Sequence, residues 1–353
     1  MGKERVSPAQ IRVVLCGVGR VGRDVTRLVR TRTGERIVAA YSRNPQLQGQ
    51  DLGVIADGTP LGVTITGDKS LALDCEADIL VIATTSFLRD VAPDIKAGID
   101  HGLNVLCTAE EMTFPWLADE SLANELDELA KRADVTVLGG GVNPGFLSDA
   151  LVLTACSAAW DVAHIGLKRG VNLSHFSGTV LRRLGIGFSR EEFDAGTEAG
   201  TIFGHIGFPQ SIHLVARALG ARVETITKRF TPLLAESDYA LDHAKLSRGT
   251  TAGFLQQVTA FVNGKPWFEA EFLGHIDPES IGARLADEIE ISGQAPVHLA
   301  LTPGLRPQPS VAALVANSLR RVVDGPPGLV TVADLPPARP SPVLDAGLIP
   351  SGP

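Results

Sequence analysis

Cysteine is scarce in this chain and has no pattern. Cys16, Cys75, Cys107 and Cys156 are the only four in 353 residues, and none lies at metal-ligand spacing from another. Such spacing excludes a disulfide framework and a cysteine-built zinc site. Cys16 and Cys107 sit in apolar, strand-like runs and read as small buried hydrophobes of a reducing compartment. Long uncharged apolar runs are also missing, so no segment spans a bilayer. Met1 to Arg5 carry charge, with no apolar stretch before Ile11 to make a signal peptide, and the expected location is the cytoplasm. Positive charge is not in excess. The count of 32 Lys and Arg against 40 Asp and Glu gives a net charge of −8, which argues against a nucleic-acid or anionic membrane partner. His205 and His213 have no third ligand at useful spacing, so no metal is expected.

What is present is enough apolar material for a large core: 44% hydrophobic and 20% charged residues. The length predicts two domains. The first is organised around Val13-Val14-Leu15-Cys16-Gly17-Val18-Gly19-Arg20-Val21-Gly22. A β-branched run ends in Gly-x-Gly-x-x-Gly, and a helical stretch, Asp24 to Arg32, follows. A dinucleotide site needs this order. Gly17 permits the tight turn, Gly19 lets the backbone approach a pyrophosphate, and Gly22 lets the helix pack on the strand.

One further absence bears on the cofactor. A site that prefers NAD carries an acid about 20 residues beyond the glycines, at the end of the second strand. Here Arg36 to Tyr41 is followed by Ser42-Arg43-Asn44, with no acid until Asp51. A hydroxyl and a guanidinium suit a 2′-phosphate better than a diol, so the reading is NADP with NAD as the alternative. Arg43 as an ordinary solvated charge is the competing account. The segment from Asp51 to Asp68 reads as loop with a short strand at Gly62 to Thr66.

Ala77 to Thr85 is a buried parallel strand whose end, Thr84-Thr85, either faces the cofactor or caps the next helix. Asn104 to Thr108 is another strand, ending in Ala109-Glu110-Glu111-Met112. Two carboxylates at a strand's carboxyl edge suit acid–base work or an ammonium, and equally suit the first turn of a helix. Val135 to Leu138 runs into Gly139-Gly140-Gly141-Val142-Asn143-Pro144-Gly145-Phe146, a ligand-facing loop or a hinge. Phe146 to Cys156 reads as a helix.

Beyond Asp161 the pattern turns to strands. Thr251 to Asn263 and Lys265 to His275 form a hairpin on an Asn263-Gly264 turn. The fold class is therefore α/β: a Rossmann-type doubly wound parallel sheet, then an α+β domain on a mostly antiparallel sheet. The expected domains are 1–146 with about 303–335 for the dinucleotide, and 147–302 for substrate and dimerisation. A flexible proline-rich tail, 336–353, follows. Open antiparallel sheets pair face to face, which makes a homodimer the expected assembly.

The glycine fingerprint, Thr108-Ala109-Glu110-Glu111-Met112 with Pro115, Gly139 to Phe146, Gly204 to His213, and Pro327-Gly328-Leu329 with Asp334-Leu335-Pro336 together resemble one family. It is that of the NAD(P)-dependent 2,4-diaminopentanoate dehydrogenases and related native amine dehydrogenases, whose fold is like that of dihydrodipicolinate reductase. The resemblance implies reductive amination of a carbonyl with ammonia, and the reverse oxidative deamination. It implies a catalytic glutamate, with Glu111 first and Glu110 as alternate. Asn143 and Pro144 match the segment beside the nicotinamide, and His275 a pocket histidine. Gly17, Val18, Gly19, Arg20, Val21, Gly22, Ser42, Arg43, Asn44, Thr84, Thr85 and Asn143 are the expected cofactor residues. Pro144, Phe146, Phe176 and His275 are the expected pocket. A diamino acid needs a carboxylate clamp, for which Arg169 and Lys168 are available, whereas Phe146, Trp160, Leu173 and Phe176 favour an apolar pocket. The reading is a simple amine or its carbonyl, with a diamino acid as the alternative and a non-catalytic NADP-binding sensor as the reading from another class.

Overall fold

The first strand, β1 (Ile11–Cys16), is almost wholly buried, as its unbroken apolar run requires of a strand covered on both faces. The computed structural model describes residues 10–241 and 244–342. The chain continues through α1 (Arg20–Val29), β2 (Glu35–Tyr41), α2 (Leu52–Asp57), β3 (Ile65–Thr66), α3 (Lys69–Leu73), β4 (Ile79–Ile82), α4 (Leu88–Asp100), β5 (Asn104–Cys107), α5 (Glu120–Ala133) and β6 (Thr136–Gly139). All six strands pair in parallel, in the order β6-β5-β4-β1-β2-β3. The order reverses at β1, and such switch points open a crevice at the carboxyl edge of the sheet.

Helix α1 begins at Arg20, four residues before the expected Asp24. Gly22, Val25, Thr26 and Val29 are its buried face, at helical spacing from the start. The segment after Asp51 is a helix, not a loop. Asp51 explains it: Oδ1 accepts from the N–H groups of Gly53, Val54 and Leu61, and Oδ2 from that of Gly62. These donors, Leu61 foremost, hold its carboxyl below the ordinary value. One acid thus caps α2 and staples the chain that leaves it.

The second unit, residues 147–306, is described by itself. It contains α6 (Ala150–Cys156), β7 (His164–Asn172), α7 (Gly178–Arg183), α8 (Arg190–Glu198), α9 (Phe208–Leu219), β8 (Thr225–Leu234), β9 (Tyr239–Leu241), β10 (Ala244–Leu246), β11 (Thr251–Val262), β12 (Lys265–His275), β13 (Asp287–Ser292) and β14 (Val297–Leu301). Helix α6 starts at Ala150 and not at Phe146, because Asp149 at its N-cap accepts from Ala150 N–H, after a turn through Pro144 and Gly145. The main sheet runs β14-β13-β7-β12-β11-β8, antiparallel except for β7 with β12. The β11–β12 turn is type I′, with Asn263 and Gly264 both at positive φ (52° and 70°). One sheet face, with Ile165, Leu167, Val258, Ala260, Phe268, Ala270 and Ile289, packs under α6 and α9. Phe208 and Phe268 are fully buried there, each contributing roughly 1.5–3 kcal/mol.

The first unit is completed by α10 (Pro307–Val323) and β15 (Gly328–Val330), which adds a seventh parallel strand beside β6. Residues 336–342, expected to be part of a flexible tail, are tied to this unit. Arg321 Nη1 donates to Pro336 O at 3.1 Å, Arg339 N–H to Asn317 O at 3.2 Å, and Thr33 N–H to Pro342 O at 3.3 Å. The rest of that expected tail, 343–353, lies outside the described residues. Among the described residues no helix is long and apolar enough to cross a membrane.

Candidate active site

The β1–α1 turn is built by two of its three glycines and left open by the other. Gly17 has φ +100°, and a Cβ there would lie 2.4 Å from Ala83 O at the end of β4. A Cβ on Gly22 would lie 2.1 Å from Gly17 O, so the helix could not sit where it does. A Cβ on Gly19 would meet nothing within 4 Å. The protein itself therefore does not need glycine at 19. Gly19 and Arg20 are exposed, the start of α1 has no side-chain cap, and its first turn carries no acid. That leaves backbone donors and a positive dipole end facing open space, the chemistry that holds a pyrophosphate. The residues present thus fit the dinucleotide that the fingerprint implies. Val18 is buried and Val21 half-buried beside them. Thr84 lies against this turn, its Cγ2 2.9 Å from a Cβ built on Gly17. Thr85 donates its hydroxyl to Asp90 Oδ2 at 3.2 Å, in the first turn of α4.

The carboxylate pair follows β5 in a single 3-10 turn, Glu110–Thr113. The two acids have different surroundings. Glu111 Oε2 accepts from Leu88 N–H at 2.7 Å and so caps the start of α4, while its own N–H donates to Ser86 O at 3.1 Å. Glu110 Oε1 accepts from the Ser86 hydroxyl at 3.2 Å. Gly139 ends β6 against this turn: a Cβ there would lie 2.0 Å from Met112 O. One of the three consecutive glycines is therefore fixed by packing against the turn that bears the carboxylates. The Asn143–Pro144 bond beyond them is cis. Pro144 is buried, and Asn143 and Phe146 are half-buried.

At the end of β2 the structure separates the three expected cofactor residues. Ser42 is 6% exposed, and its Oγ accepts from Asn44 N–H at 3.3 Å. Asn44 Oδ1 caps the short turn at Gln46. Arg43 projects outward but is anchored, its Nη2 2.9 Å from Asp94 Oδ2. Asp94 is buried in α4, and its Oδ1 accepts from Lys69 Nζ at 2.6 Å. Neither Lys69 nor Asp94 stands out in the sequence. Asp94 is one acid of an amphipathic helix, and the only available signal is its place on the buried face with Val91 and Ile95.

In the second unit Phe176 and His275 flank one residue. Leu173 N–H donates to His275 O, and Phe176 N–H to Leu173 O. Phe176 packs on an apolar cluster that contains Leu173 and Phe254. His275 is buried, and burial holds its pKa below the ordinary value. Its Nδ1 accepts from Asp277 N–H at 3.0 Å, which leaves the ring proton on Nε2. Arg169, a candidate carboxylate clamp, is already engaged. Its Nη1 lies 3.1 Å from Asp287 Oδ1 and its Nη2 3.0 Å from Leu305 O, and both members of the pair are buried. Burial pushes Asp287 up and Arg169 down, each opposed by the other's charge. Lys168 points to the opposite face of the sheet, with His164, Glu269, Glu271 and Glu290. Trp160 is exposed.

Residues 146–343 match the family described as the 2,4-diaminopentanoate dehydrogenase C-terminal domain, and residues 11–105 match the dihydrodipicolinate reductase N-terminus. The chain is 30% identical over 335 residues to 2,4-diaminopentanoate dehydrogenase of Acetoanaerobium sticklandii, covering 94% of each. It resembles the solved amine dehydrogenase from Mycobacterium smegmatis with a TM-score of 0.82 and 28% identity, over 93% of this chain and 97% of that one. An oxidoreductase from Agrobacterium radiobacter, solved with NAD+, L-tartaric acid and magnesium, has a TM-score of 0.53 at 15% identity over 92% of each chain, a likeness of fold alone.

Proposed function

This chain belongs to the 2,4-diaminopentanoate dehydrogenase family and is an NAD(P)-dependent oxidoreductase acting on amines, and from that premise we propose that it interconverts a simple amine with its ketone or aldehyde and ammonia. The observation that carries the reading is the pairing, on the carboxyl edge of one parallel sheet, of the open Gly19 cradle with the Glu110–Glu111 turn. When bound, the nicotinamide supplies or accepts the hydride. The Glu110 carboxylate, oriented by the Ser86 hydroxyl, takes a proton from the incoming ammonium. It passes that proton to the carbinolamine hydroxyl, which leaves as water, and is then again an anion beside the iminium nitrogen. We assign the anchoring role to Glu111, because one of its oxygens already holds the start of α4. This reverses the order in which the sequence ranks the two.

A simple amine is favoured over a diamino acid by the state of Arg169. Its guanidinium is spent on Asp287 and Leu305, and Phe176 of the same unit packs on an apolar cluster. His275 is assigned to the pocket as a neutral group and Asn143 to the nicotinamide side. NADP is favoured over NAD by an Arg43 presented at the end of β2 where no acid stands. The charged face of the second unit's sheet that bears Lys168, Glu269, Glu271 and Glu290 is assigned to a homodimer in the cytoplasm.

The test follows oxidation of NADPH and NADH with small ketones and aldehydes, with and without ammonium. Turnover that needs both carbonyl and ammonium, and that falls at least about a hundredfold in Glu110→Gln, is expected for a lost acid–base group. Turnover without ammonium makes the protein a carbonyl reductase. Activity confined to a diamino acid overturns the substrate, and cofactor binding with no turnover supports the sensor.

A further inference from the structure

We propose that Lys69 is the second cation of a subsite for the cofactor's ribose 2′-phosphate, and that Asp94 is the positioning residue that holds it beside Arg43. The inference rests on the NADP reading above and adds two residues to it.

The topology puts the two cations at one place. Strands β2 and β3 pair in parallel, Ala40 with Ile65 and Tyr41 with Thr66, and Ser42 N–H extends the ladder to Thr66 O. The strands therefore end level. Arg43 lies two residues beyond one end and Lys69 three beyond the other, both on the carboxyl edge. In a dinucleotide fold the ribose 2′ position lies at the end of β2.

The geometry of Asp94 separates this cluster from a surface ion pair. In a surface pair both members are solvated and loosely held. Here the carboxylate is 1% exposed while the Arg43 and Lys69 side chains are 60% and 32% exposed. Each cation takes a different oxygen, Arg43 Oδ2 at 2.9 Å and Lys69 Oδ1 at 2.6 Å, and Lys69 Nζ also lies 3.5 Å from Pro93 O. The acid is an inward anchor and the cations are the outward face. Two cations on one carboxylate leave one positive charge over. A 2′-phosphate gains from that charge and from the donors that Asp94 leaves unused, whereas a diol gains little. Ser42 and Asn44, the neighbours by sequence, are occupied by the turn itself.

The experiment measures Kd for 2′,5′-ADP and 5′-AMP by calorimetry, then for NADP+ and NAD+, on the full chain. Wild type is expected to prefer 2′,5′-ADP. Lys69→Gln is expected to weaken 2′,5′-ADP and NADP+ by about tenfold, the value of one charge-assisted hydrogen bond, and to leave 5′-AMP and NAD+ within about twofold. Asp94→Asn adds a net positive charge, so electrostatics alone predicts tighter 2′,5′-ADP binding. Positioning predicts a weaker one, and that is the expected result. Tighter binding overturns the role of Asp94. A preference that Arg43→Gln abolishes and Lys69→Gln leaves intact overturns Lys69 while the NADP reading stands. A wild type that does not discriminate removes the NADP reading itself.

Discussion

Replacing Gly19 by alanine separates binding from folding, and the magnitudes can be worked from the turn. Gly19 has φ −78° and ψ −163°, a region open to any residue, and its Cβ would have no neighbour within 4 Å. Alanine there strains nothing in the protein and reduces the freedom of the unfolded chain, a gain of about 0.4–1 kcal/mol. The melting temperature should hold or rise by about 2 °C. The same methyl group occupies the space that a pyrophosphate must enter to reach the N–H groups of α1. Each such bond to an anion contributes roughly 1.5–3 kcal/mol, so losing one raises Kd by at least about tenfold and losing two by about a hundredfold. Gly22→Ala is the contrast. Its Cβ would lie 2.1 Å from a backbone oxygen, and the helix start has to shift at about 1–3 kcal/mol. Titration of NADPH and NADH fluorescence, beside a thermal melt, reads both quantities. The expected pattern is lost affinity at full stability for Gly19→Ala, and loss of both for Gly22→Ala. A Gly19→Ala protein that melts normally and binds either cofactor as wild type does would refute the assignment of this turn to the pyrophosphate.

Arg169→Met should destabilise the second unit by about 3–5 kcal/mol, because Asp287 is left charged and buried; adding Asp287→Leu should recover most of it in a denaturant melt. If Arg169 instead clamped a substrate carboxylate, the single variant would raise KM for an amino acid at unchanged stability. Thiol titration of the native protein at mildly alkaline pH should label Cys75 alone. Cys16 and Cys107 are buried with pKa pushed up to about 12, and Cys156 to about 11, so labelling of all four without denaturant would contradict the core. His275 is neutral when folded, with its pKa lowered from 6.5, so the unfolded state binds more protons as pH falls. Its contribution to stability is complete above about 6.5 and is lost as pH falls through that value toward the lower folded one. Melts from neutral pH down to about 5 should therefore decline less in His275→Gln than in wild type.

The residues that were legible in the sequence are those whose role is decided within a few positions. Gly17 and Gly22 act through a turn that the fingerprint itself contains. Asn263-Gly264 sets a type I′ hairpin between two runs that flank it. What was not legible depends on which distant strands become neighbours. Asp51 looked like a loop acid because its four N–H partners extend to Leu61 and Gly62. The 336–342 segment looked like tail because proline-rich composition does not reveal that Thr33, Asn317 and Arg321 will bind its backbone. Lys69 and Asp94 are 25 positions apart and meet only after β3 has paired with β2 and α4 has packed on β4 and β5. Arg169 and Asp287, 118 apart, follow the same logic through the β7–β13 pairing.

The Glu110–Glu111 pair shows how a short motif divides between these two kinds of information. The sequence marks the pair, because two carboxylates just past a buried strand are unusual, but adjacent residues cannot share one task. In a 3-10 turn successive side chains point about a third of a revolution apart, so one approach to the turn serves only one of them. Which one faces the chemistry is set by where α4 begins, and α4 begins at Leu88, whose free N–H takes Glu111. The start of α4 lacks a side-chain cap of its own, since Phe87 stands at its N-cap. Glu111 therefore supplies by tertiary contact what the local sequence omits. On the proposed reading, this capping role of Glu111 is what assigns the amine to Glu110. Transplanting a cap, Phe87→Asp, should make Glu111→Gln tolerable to the fold without restoring any activity that Glu110→Gln removes.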